Sequence, residues 1–544
     1  MSRQLDTRVR GKTAEARERG ESAVRSERVI VVGAGMGGLA AALDLASRGI
    51  DTVVLERAAH PGGKLRSVPA GGVGVDSGPT VLTMRWVLDE LLADAGTRLD
   101  EHLSLAPAAL LARHAWNAHD RLDLFADLQR SADAIGTFAG AAEARGYLEF
   151  CARAQGIYRT LEVPFLRGQR PGPVSLSMRC GLRGLPGLAR ISPFATLWQE
   201  LGRHFRDPRL RQLFGRYATY CGSSPFAATA TLMLVAHVEQ AGVWLVGGGM
   251  QRIAETLSML AQRKGARLRT GVHVDEILVR DGRVTGVQLA DGERIEADAV
   301  VFNGDAAALA ARHLGGAAAR AVPPTPRSAR SLSAVTWSLR APTDGFPLVR
   351  HNVFFGPDYA SEFGDIFGRG RLPAQPTVYV CAQDRPDGDA PAPAGAERLL
   401  CLVNAPPAGD AGPLDPLELA TCEERTFRML ASCGLQVDRR PDCSTTTTPA
   451  DFERLFPATG GALYGRASHG WMASFVRPGS RSRIAGLYLA GGSTHPGPGV
   501  PMAALSGRLA VQALLADRAS RRARDRVSTG PSPAAATPGG TSTP

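Results

Sequence analysis

Residues 28–56 read RVIVVGAGMGGLAAALDLASRGIDTVVLE, and this stretch decides the fold of the chain. The apolar runs at 28–32 and 52–56 predict two buried strands of a parallel sheet. The small-residue run from Leu39 to Ser47 predicts the helix that connects them. Together they predict a β-α-β unit at the start of an α/β fold.

The turn between the first strand and the helix carries a G-x-G-x-x-G motif. Gly33 permits the tight turn, Gly35 lets the backbone approach a pyrophosphate, and Gly38 lets the helix lie close to the strand. The helix N-terminus favours the negative charge of the phosphates. Glu56 ends the second strand and is expected to bind the ribose hydroxyls. The motif in this context predicts a dinucleotide site.

Composition indicates a globular protein. Of the 544 residues, 44% are hydrophobic and 21% are charged, which excludes a disordered or fibrous chain. The net charge is +11, but residues 1–28 and 517–544 contribute +3 each, so the remainder is only mildly basic. No run alternates basic with aromatic residues, and we therefore expect no nucleic-acid partner.

Several site classes lack their motifs. The eight cysteines form no Cys-x-x-Cys pair, and there is no His-Glu-x-x-His or Gly-x-Ser-x-Gly sequence, so neither a metal site nor a serine hydrolase is expected. The apolar run from Val29 to Ala46 contains Asp44 and four glycines, which argues against a membrane span. We expect a protein that is soluble or bound only to a membrane surface.

The pattern along the chain predicts a nucleotide-binding fold that is interrupted twice. Two Asp-Gly turns, at 281–282 and 291–292, separate short alternating runs and indicate a β-meander. Met502 to Ala516 is predicted to be a closing helix. We predict disordered tails at 1–27 and 521–544, a discontinuous dinucleotide-binding domain at 28–96, 231–310 and 456–520, a helical insertion at 97–230, and a substrate domain at 311–455.

Three further segments carry a resemblance to a known superfamily. Gly62-Gly63-Lys64 and the stretch 75–80, VDSGPT, resemble flavoproteins of the amine oxidase and phytoene desaturase superfamily. Residues 494–499, THPGPG, followed by Val500 and Pro501, resemble the signature of phytoene desaturase-type carotenoid enzymes. The resemblance implies a Rossmann-like FAD-binding domain, an interleaved α+β substrate domain and a helical, membrane-facing insertion.

The same resemblance implies which residues bind the flavin cofactor. No second complete G-x-G-x-x-G motif is present, so we expect electrons to pass from the flavin to an external acceptor, oxygen or a quinone, rather than arrive from NAD(P)H. The residues implied to contact FAD are Gly33, Gly35, Gly38, Glu56, Gly63, Lys64, Pro79, Thr80, Val274, Gly492, Val500 and Met502.

Within the superfamily the sequence is most similar to the 1-hydroxycarotenoid 3,4-desaturases, also called hydroxyneurosporene or methoxyneurosporene dehydrogenases. The supporting stretches are 380–385, VCAQDR, 83–86, TMRW, and 499–508, GVPMAALSGR. This implies an oxidoreductase that introduces the C3–C4 double bond into 1-hydroxylated acyclic carotenoids. Two alternatives stay open: a phytoene desaturase, and a non-enzymatic isoprenoid-lipid chaperone that resembles Rab GDP-dissociation inhibitors.

No strong catalytic dyad is evident, and the proton-accepting group is unknown. Asp384 and Arg385 are candidates to contact the tertiary hydroxyl or the proton, with a surface ion pair as the alternative. His495 is a candidate at the flavin edge, with a structural role as the alternative. A cation stabilised by a polyene needs only a weak base or water, so orientation in an apolar tunnel is expected to supply much of the rate.

Residues 163–199 predict contact with a membrane surface. This segment has no acidic residue, and its arginines Arg167, Arg170, Arg179, Arg183 and Arg190 alternate with apolar residues and Trp198. A buried helical insertion is the alternative. We expect a cytoplasmic protein that associates peripherally with the inner or photosynthetic membrane, where an acyclic hydroxycarotenoid resides.

Overall fold

The computed structural model describes residues 27–388 and 393–528; the predicted tails outside these ranges lie beyond the described residues. The strands are β1 (Arg28–Val32), β2 (Asp51–Leu55), β3 (Ser67–Ala70), β4 (Val73–Asp76), β5 (Leu105–Pro107), β6 (Leu110–Ala115), β7 (Arg121–Phe125), β8 (Trp244–Val246), β9 (Arg267–Arg269), β10 (Val274–Arg280), β11 (Arg283–Leu289), β12 (Arg294–Glu296), β13 (Ala299–Phe302), β14 (Ser333–Ala341), β15 (Thr343–Asp344), β16 (His351–Phe354), β17 (Val378–Ala382), β18 (Glu397–Ala405), β19 (Gln436–Val437), β20 (Ser444–Thr447) and β21 (Leu487–Leu489). The α-helices are Met36–Ser47, Trp86–Asp94, Leu128–Ala139, Ala141–Leu161, Pro173–Arg190, Leu197–His204, Pro208–Gly215, Leu234–Gln240, Gln251–Arg263, Ala306–Ala310, Tyr359–Phe363, Pro416–Ser432, Pro449–Leu455, Ala473–Val476 and Val500–Ser528.

A parallel sheet with the order β21-β13-β1-β2-β9 forms the first layer. β1 pairs with β2 on one side and with β13 on the other, so the first strand of the chain lies in the sheet interior. The β-α-β prediction is confirmed, and the helix begins at Met36, three residues before its predicted start. Gly37 and Gly38 therefore belong to the first turn of the helix. Glycine suits both positions because this turn must lie close to neighbouring backbone.

Helices cover one face of this sheet. The helices Met36–Ser47, Gln251–Arg263 and Val500–Ser528 share one apolar core with it. The antiparallel strands β10, β11 and β12 pack against the other face. The predicted meander is thus confirmed for its first two runs, β10 and β11. The strand that follows the second turn in this sheet is β12, whereas the run predicted there, 299–302, is β13 and joins the parallel sheet.

A second sheet with the order β20-β14-β18-β17-β16-β6-β7 forms the other domain. Its strands are antiparallel except for the pair β16 and β6. The prediction that 97–230 is mostly helical is wrong for β5, β6 and β7. β6 and β7 have alternating residues and pair with each other, and β6 also pairs with β16. Sequence periodicity alone did not reveal these pairings.

The remainder of 97–230 is helical, as predicted. Its helices, from Leu128–Ala139 to Pro208–Gly215, share an apolar core with Leu234–Gln240 and with parts of β6, β7 and β16. In the described ranges, none of the helices combines the length and apolar character needed to cross a membrane.

The closing helix is longer than predicted. It runs from Val500 to Ser528, so residues 521–528 are helical and not part of a disordered tail. The extension is stabilised by charge: Arg518, Arg521 and Arg522 lie next to the Glu27 carboxylate, and Arg481 pairs with Asp517 at 2.9 Å. The apolar pattern ends near 516, which is why the sequence-based boundary fell too early.

Candidate active site

A tight glycine turn connects β1 with the helix Met36–Ser47. Gly33 has a φ of +96°, in the left-handed region that favours glycine, and its N–H donates to the Leu55 carbonyl at 2.8 Å. A Cβ on Gly38 would lie 2.1 Å from the Gly33 carbonyl oxygen, so only glycine fits there. The first amides of the helix have no partner within the helix and form a site suited to an anion.

The Glu56 carboxylate lies across this turn. It accepts hydrogen bonds from the Ala34 N–H at 2.6 Å and from the Ala58 N–H at 2.8 Å, one at each oxygen. Each oxygen keeps a second lone pair that a ribose hydroxyl could use as an acceptor. The geometry fits the predicted ribose contact.

The second glycine loop folds against the first. The Gly62 N–H donates to the Ala34 carbonyl at 2.9 Å, and a Cβ on Gly63 would lie 3.2 Å from the Gly35 Cα. The Lys64 ammonium donates to the Leu463 carbonyl, and burial lowers the pKa of Lys64. A phosphate charge nearby would favour the protonated ammonium, which agrees with the predicted pyrophosphate contact.

The C-terminal glycine loop is held by a buried arginine. Arg477 donates to the carbonyl oxygens of Tyr464 and Gly492, both at 3.0 Å, and to that of Arg466 at 2.6 Å. These bonds fix the loop that leads into the helix Val500–Ser528. The N-terminal end of this helix, with Val500 and Met502, borders the same cavity as the glycine turn.

One cavity of about 890 Å³ gathers the predicted cofactor residues. Gly38 lies beneath the turn and is not among its described lining residues. Asn303 also lines the cavity, and its buried Oδ1 has no hydrogen-bond partner among the described residues. The glycine cradle, the fixed carboxylate and this unpaired acceptor fit a bound dinucleotide. The predicted residues that line the cavity are Gly33, Gly35, Glu56, Gly63, Lys64, Pro79, Thr80, Val274, Gly492, Val500 and Met502.

The cavity continues beyond the cradle into an apolar chamber. Its walls come from the helical part, from the second sheet and from the segment 468–475. The chamber therefore lies between the two domains and has no polar group over much of its described wall. Its apolar lining includes Leu161, Phe165, Ile191, Leu232, Val235 and Phe475.

Five residues form a polar cluster in the chamber wall: Arg216, Tyr220, Glu239, His351 and Tyr379. Arg216 donates to the Tyr220 hydroxyl at 2.9 Å, and Tyr220 donates to the Glu239 carboxylate at 2.8 Å. Burial raises the pKa of Glu239 and lowers that of His351 to about 3, so the imidazole is neutral at neutral pH. The cluster is a hydrogen-bonding site within an otherwise apolar chamber.

An apolar surface lies beside the chamber. Val163, Val174, Met178, Phe194 and Trp471 are all exposed, Phe194 by 79%, and we call them the exposed apolar face. The Phe194 and Trp471 rings are 5.6 Å apart. The segments that carry this face also contribute lining residues to the chamber.

Three arginines of the 163–199 segment, Arg167, Arg170 and Arg179, are engaged within the protein. Arg167 pairs with Glu90 at 2.8 Å and with Glu162 at 3.1 Å. Arg170 donates to the Phe475 carbonyl at 3.1 Å, and Arg179 donates to that of Gln169 at 2.6 Å. Trp198 packs inward, next to Phe226 and Tyr359. These arginines hold the segment in place, and the apolar side chains form its exposed surface.

Two of the sequence-based catalytic candidates lie away from the cavity, which corrects that assignment. Asp384 pairs with Arg398 at 2.6 Å, and Arg385 forms a buried ion pair with Glu397 at 2.7 Å. Neither is among the described residues that line the cavity. Both residues follow the end of β17 at Ala382, in a turn where the Arg385 N–H donates to the Ala382 carbonyl at 3.1 Å.

His495 has a structural environment. Its Nε2–H lies 2.9 Å from the Phe165 carbonyl and 3.0 Å from that of Gly168, which makes Nε2 the donor nitrogen. Burial lowers the pKa of His495 to about 4. The imidazole thus ties the C-terminal glycine loop to the 163–168 segment, in agreement with the structural alternative.

Sequence reasoning missed four residues of the site: Asn303, Arg477, Arg216 and Tyr379. Asn303 directly follows β13, at the carboxyl edge of a parallel sheet where ligands bind, so its position carried a usable signal. The others come from distant parts of the chain and meet only in the folded protein. No motif in the sequence marks them.

Comparisons with known proteins agree with this site. Residues 36–515 match the family model described as flavin containing amine oxidoreductase. The chain is 56% identical to the hydroxyneurosporene desaturase of Rubrivivax gelatinosus over 524 residues, 95% of this chain and 99% of that protein. It is 47% identical to the hydroxyneurosporene desaturase of Cereibacter sphaeroides, over 91% of this chain and 98% of that protein.

A solved structure supports the fold. A triple mutant of putrescine oxidase superposes with a TM-score of 0.56 at 15% identity and covers 91% of this chain and 99% of its own. The family match and the high identity to the desaturases confirm the predicted superfamily, the FAD cofactor and the oxidoreductase class. The chain belongs to the family of flavin-containing amine oxidoreductases and, within it, to the group that includes the hydroxyneurosporene desaturases.

Proposed function

We propose that this enzyme introduces the C3–C4 double bond into 1-hydroxylated acyclic carotenoids during carotenoid biosynthesis. The observation that carries the proposal is the continuity of the FAD cradle with an apolar chamber in one cavity. A polyene fits an apolar chamber, and the chamber wall fixes which carbons lie next to the cofactor. The high identity to hydroxyneurosporene desaturases supports the same reaction class.

The reaction removes two hydrogens from adjacent carbons. Bound FAD supplies the hydride acceptor. We propose that hydride leaves C4, because C4 is allylic to the polyene and the resulting charge is delocalised, and that the proton leaves C3. The apolar walls orient the chain and exclude water from the reacting carbons. The two electrons then pass to an external acceptor, oxygen or a quinone.

The polar cluster favours an oxygenated substrate over phytoene. Phytoene is a hydrocarbon and would leave Arg216 without a new acceptor in the chamber, which is costly for a buried cation. A non-enzymatic lipid chaperone does not require a flavin-binding site. A flavin absorption spectrum of the purified protein distinguishes that alternative directly.

The test is anaerobic incubation of the flavin-loaded enzyme with 1-hydroxyneurosporene and, in parallel, with phytoene. We expect the first substrate to bleach the flavin and to gain one conjugated double bond, with a red shift of its absorption. Conversion of phytoene alone would contradict the proposal. Reoxidation of the bleached enzyme by air or by a soluble quinone then identifies the acceptor.

We also propose that the exposed apolar face contacts the cytoplasmic surface of the inner or photosynthetic membrane. Exposed apolar side chains beside a chamber for a lipid-soluble substrate favour interfacial binding. A triple variant, Val163→Ser, Met178→Ser and Phe194→Ser, should lower the fraction that floats with anionic phospholipid vesicles at least tenfold, by an order-of-magnitude estimate from lost apolar burial. Leu417→Ser is the matched control, because Leu417 is 75% exposed on the helix Pro416–Ser432. Equal flotation of both variants would exclude this face.

A further inference from the structure

The wall of the chamber contains a cation whose hydrogen-bonding capacity is largely unused. Arg216 lies in the 3₁₀ turn Arg216–Cys221, and Tyr220 is the one hydrogen-bond acceptor found for it among the described residues. It forms no ion pair within the described ranges. A guanidinium carries five N–H donors, so most of its capacity remains for another partner.

The orientation of this guanidinium is set by two aromatic rings. It lies 5.1 Å from the Tyr220 ring centroid and 5.2 Å from that of Tyr379. Both rings are anchored: Tyr220 donates to Glu239, and the Tyr379 hydroxyl lies 2.8 Å from His351 Nδ1. The rings therefore hold the cation at a fixed position in the wall.

The polar cluster adjoins the cofactor cradle. The Tyr379 hydroxyl lies 2.6 Å from Thr80 Oγ1, and Thr80 belongs to the cavity residues predicted to contact the flavin. The Tyr379 side chain therefore contacts both Thr80 and Arg216. A ligand atom bound by Arg216 would lie close to the carbons that react at the flavin.

We propose that Arg216 donates a hydrogen bond to the oxygen on C1 of the carotenoid; this inference rests on the proposed function. That oxygen is four covalent bonds from C4, a distance on the order of 5 Å, so the group that recognises it must adjoin the flavin. Arg216 meets this condition and has donors to spare. It is a specificity-determining residue.

The chemistry of the donor defines which substrates fit. A guanidinium donates but does not accept, so a free hydroxyl and a methyl ether both satisfy it. A hydrocarbon of the same length leaves the buried donors unpaired and is disfavoured. The site thus selects oxygenated chain ends and tolerates methylation of the oxygen.

The test compares ligand preferences of Arg216→Met with those of the wild type. Dissociation constants for 1-hydroxyneurosporene, its methyl ether and neurosporene are measured on the oxidised holoenzyme from the change in carotenoid absorption, and kcat/KM is measured in parallel. We expect the wild type to prefer both oxygenated ligands, and Arg216→Met to lower that preference about 10- to 100-fold. Each preference is the ratio of the values measured for two ligands on the same protein sample. A fraction of unfolded protein affects both values equally and does not change the ratio.

Arg211→Met is the matched control. The Arg211 guanidinium also lies against an aromatic ring, 4.7 Å from Trp198, but Arg211 is not among the described lining residues of the cavity. We expect its preference to equal that of the wild type. If Arg216→Met is not recovered with flavin, Arg216→Gln replaces it and should lower the preference by about threefold, because a neutral donor replaces a charged one.

An unchanged preference in the recovered Arg216 variant would overturn the inference, whatever its absolute activity. Failure of the proposed function has a different signature, namely a wild type that binds flavin but does not convert 1-hydroxyneurosporene. A wild type that converts it while both Arg216 variants keep the full preference would overturn the Arg216 assignment and leave the proposed function standing.

Discussion

Glu56 connects the backbone of the glycine turn with the cofactor site. Glu56→Gln keeps the size of the side chain but places an amide group where two backbone N–H groups now donate to a carboxylate. We expect flavin affinity to fall at least tenfold, since charge-assisted bonds contribute about 1.5–3 kcal/mol each. Flavin content after gel filtration measures the effect. Glu255→Gln, at an exposed ion pair with Arg252, should retain flavin, and a flavin-replete Glu56→Gln would contradict the assignment.

Glu362 is a second residue that gives a testable prediction, because its titration should make the stability of the fold depend on pH. It is buried and accepts hydrogen bonds from Thr377 and Asn404, and burial raises its pKa to about 7. The folded protein therefore binds this proton more tightly than the unfolded chain, so stability should decrease as pH rises from about 4.5 to 7, by roughly 3 kcal/mol at most.

Glu362→Gln removes this titration. Its stability relative to the wild type should therefore increase between pH 5 and pH 8, as measured by urea unfolding at each pH. The exposed Glu424→Gln is the control and should show no such trend. Parallel curves for Glu362→Gln and the wild type would contradict the pKa assignment.

At the residue scale, the spacing of a local motif was enough to predict where the glycine turn and Glu56 lie. The positions of Gly33, Gly38 and Glu56 follow from one local motif, so the sequence was sufficient to locate the cradle. Arg216 and Tyr379 are separated by more than 160 positions and meet through tertiary packing. Local sequence holds no information about such a contact.

At the scale of elements, one helix crossing determines how the cofactor site closes. The helices Met36–Ser47 and Val500–Ser528 approach so closely that a Cβ on Gly507 would lie 2.1 Å from the Gly37 carbonyl oxygen. Gly507→Ala must push the helices apart, which we expect to cost about 1–3 kcal/mol and to weaken flavin binding, because the second helix carries Val500 and Met502.

The control for this substitution is another glycine within a helix. Gly156 lies inside Ala141–Leu161, and a Cβ there would contact nothing within 4 Å. Gly156→Ala should leave stability unchanged or raise it by up to about 1 kcal/mol. Thermal unfolding and flavin content of both variants measure the difference. Equal effects would contradict the close crossing as the cause.

The strands and helices that could be predicted are those whose own sequence contains a recognisable pattern. β1, β2 and the meander carry runs or Asp-Gly turns that specify them. β6 and β7 lie in a stretch assigned to helix, because β16, the strand that joins β6 to the second sheet, is more than 200 residues away. The end of the closing helix was missed because ion pairs rather than apolar residues stabilise its last turns.

At the scale of the whole molecule, FAD should stabilise both domains. The cavity is lined by residues of the parallel sheet region and by residues of the second sheet, such as His351 and Tyr379. At a thousandfold excess over its dissociation constant, a ligand contributes about 4 kcal/mol to stability. Removing FAD should therefore lower the Tm and increase amide hydrogen exchange in β16 and β17 as well as in β1. Loss of protection in β1 alone would show that the domains are uncoupled.

The single dinucleotide cradle of the described chain also determines the order of events on a symmetric substrate. A carotenoid with a reactive group at each end can present only one end to the cradle at a time. Its second end reacts only after release, reversal and rebinding, so the turnover of such a substrate is distributive. The one-sided product should accumulate early in the reaction and decline only as the starting carotenoid is exhausted.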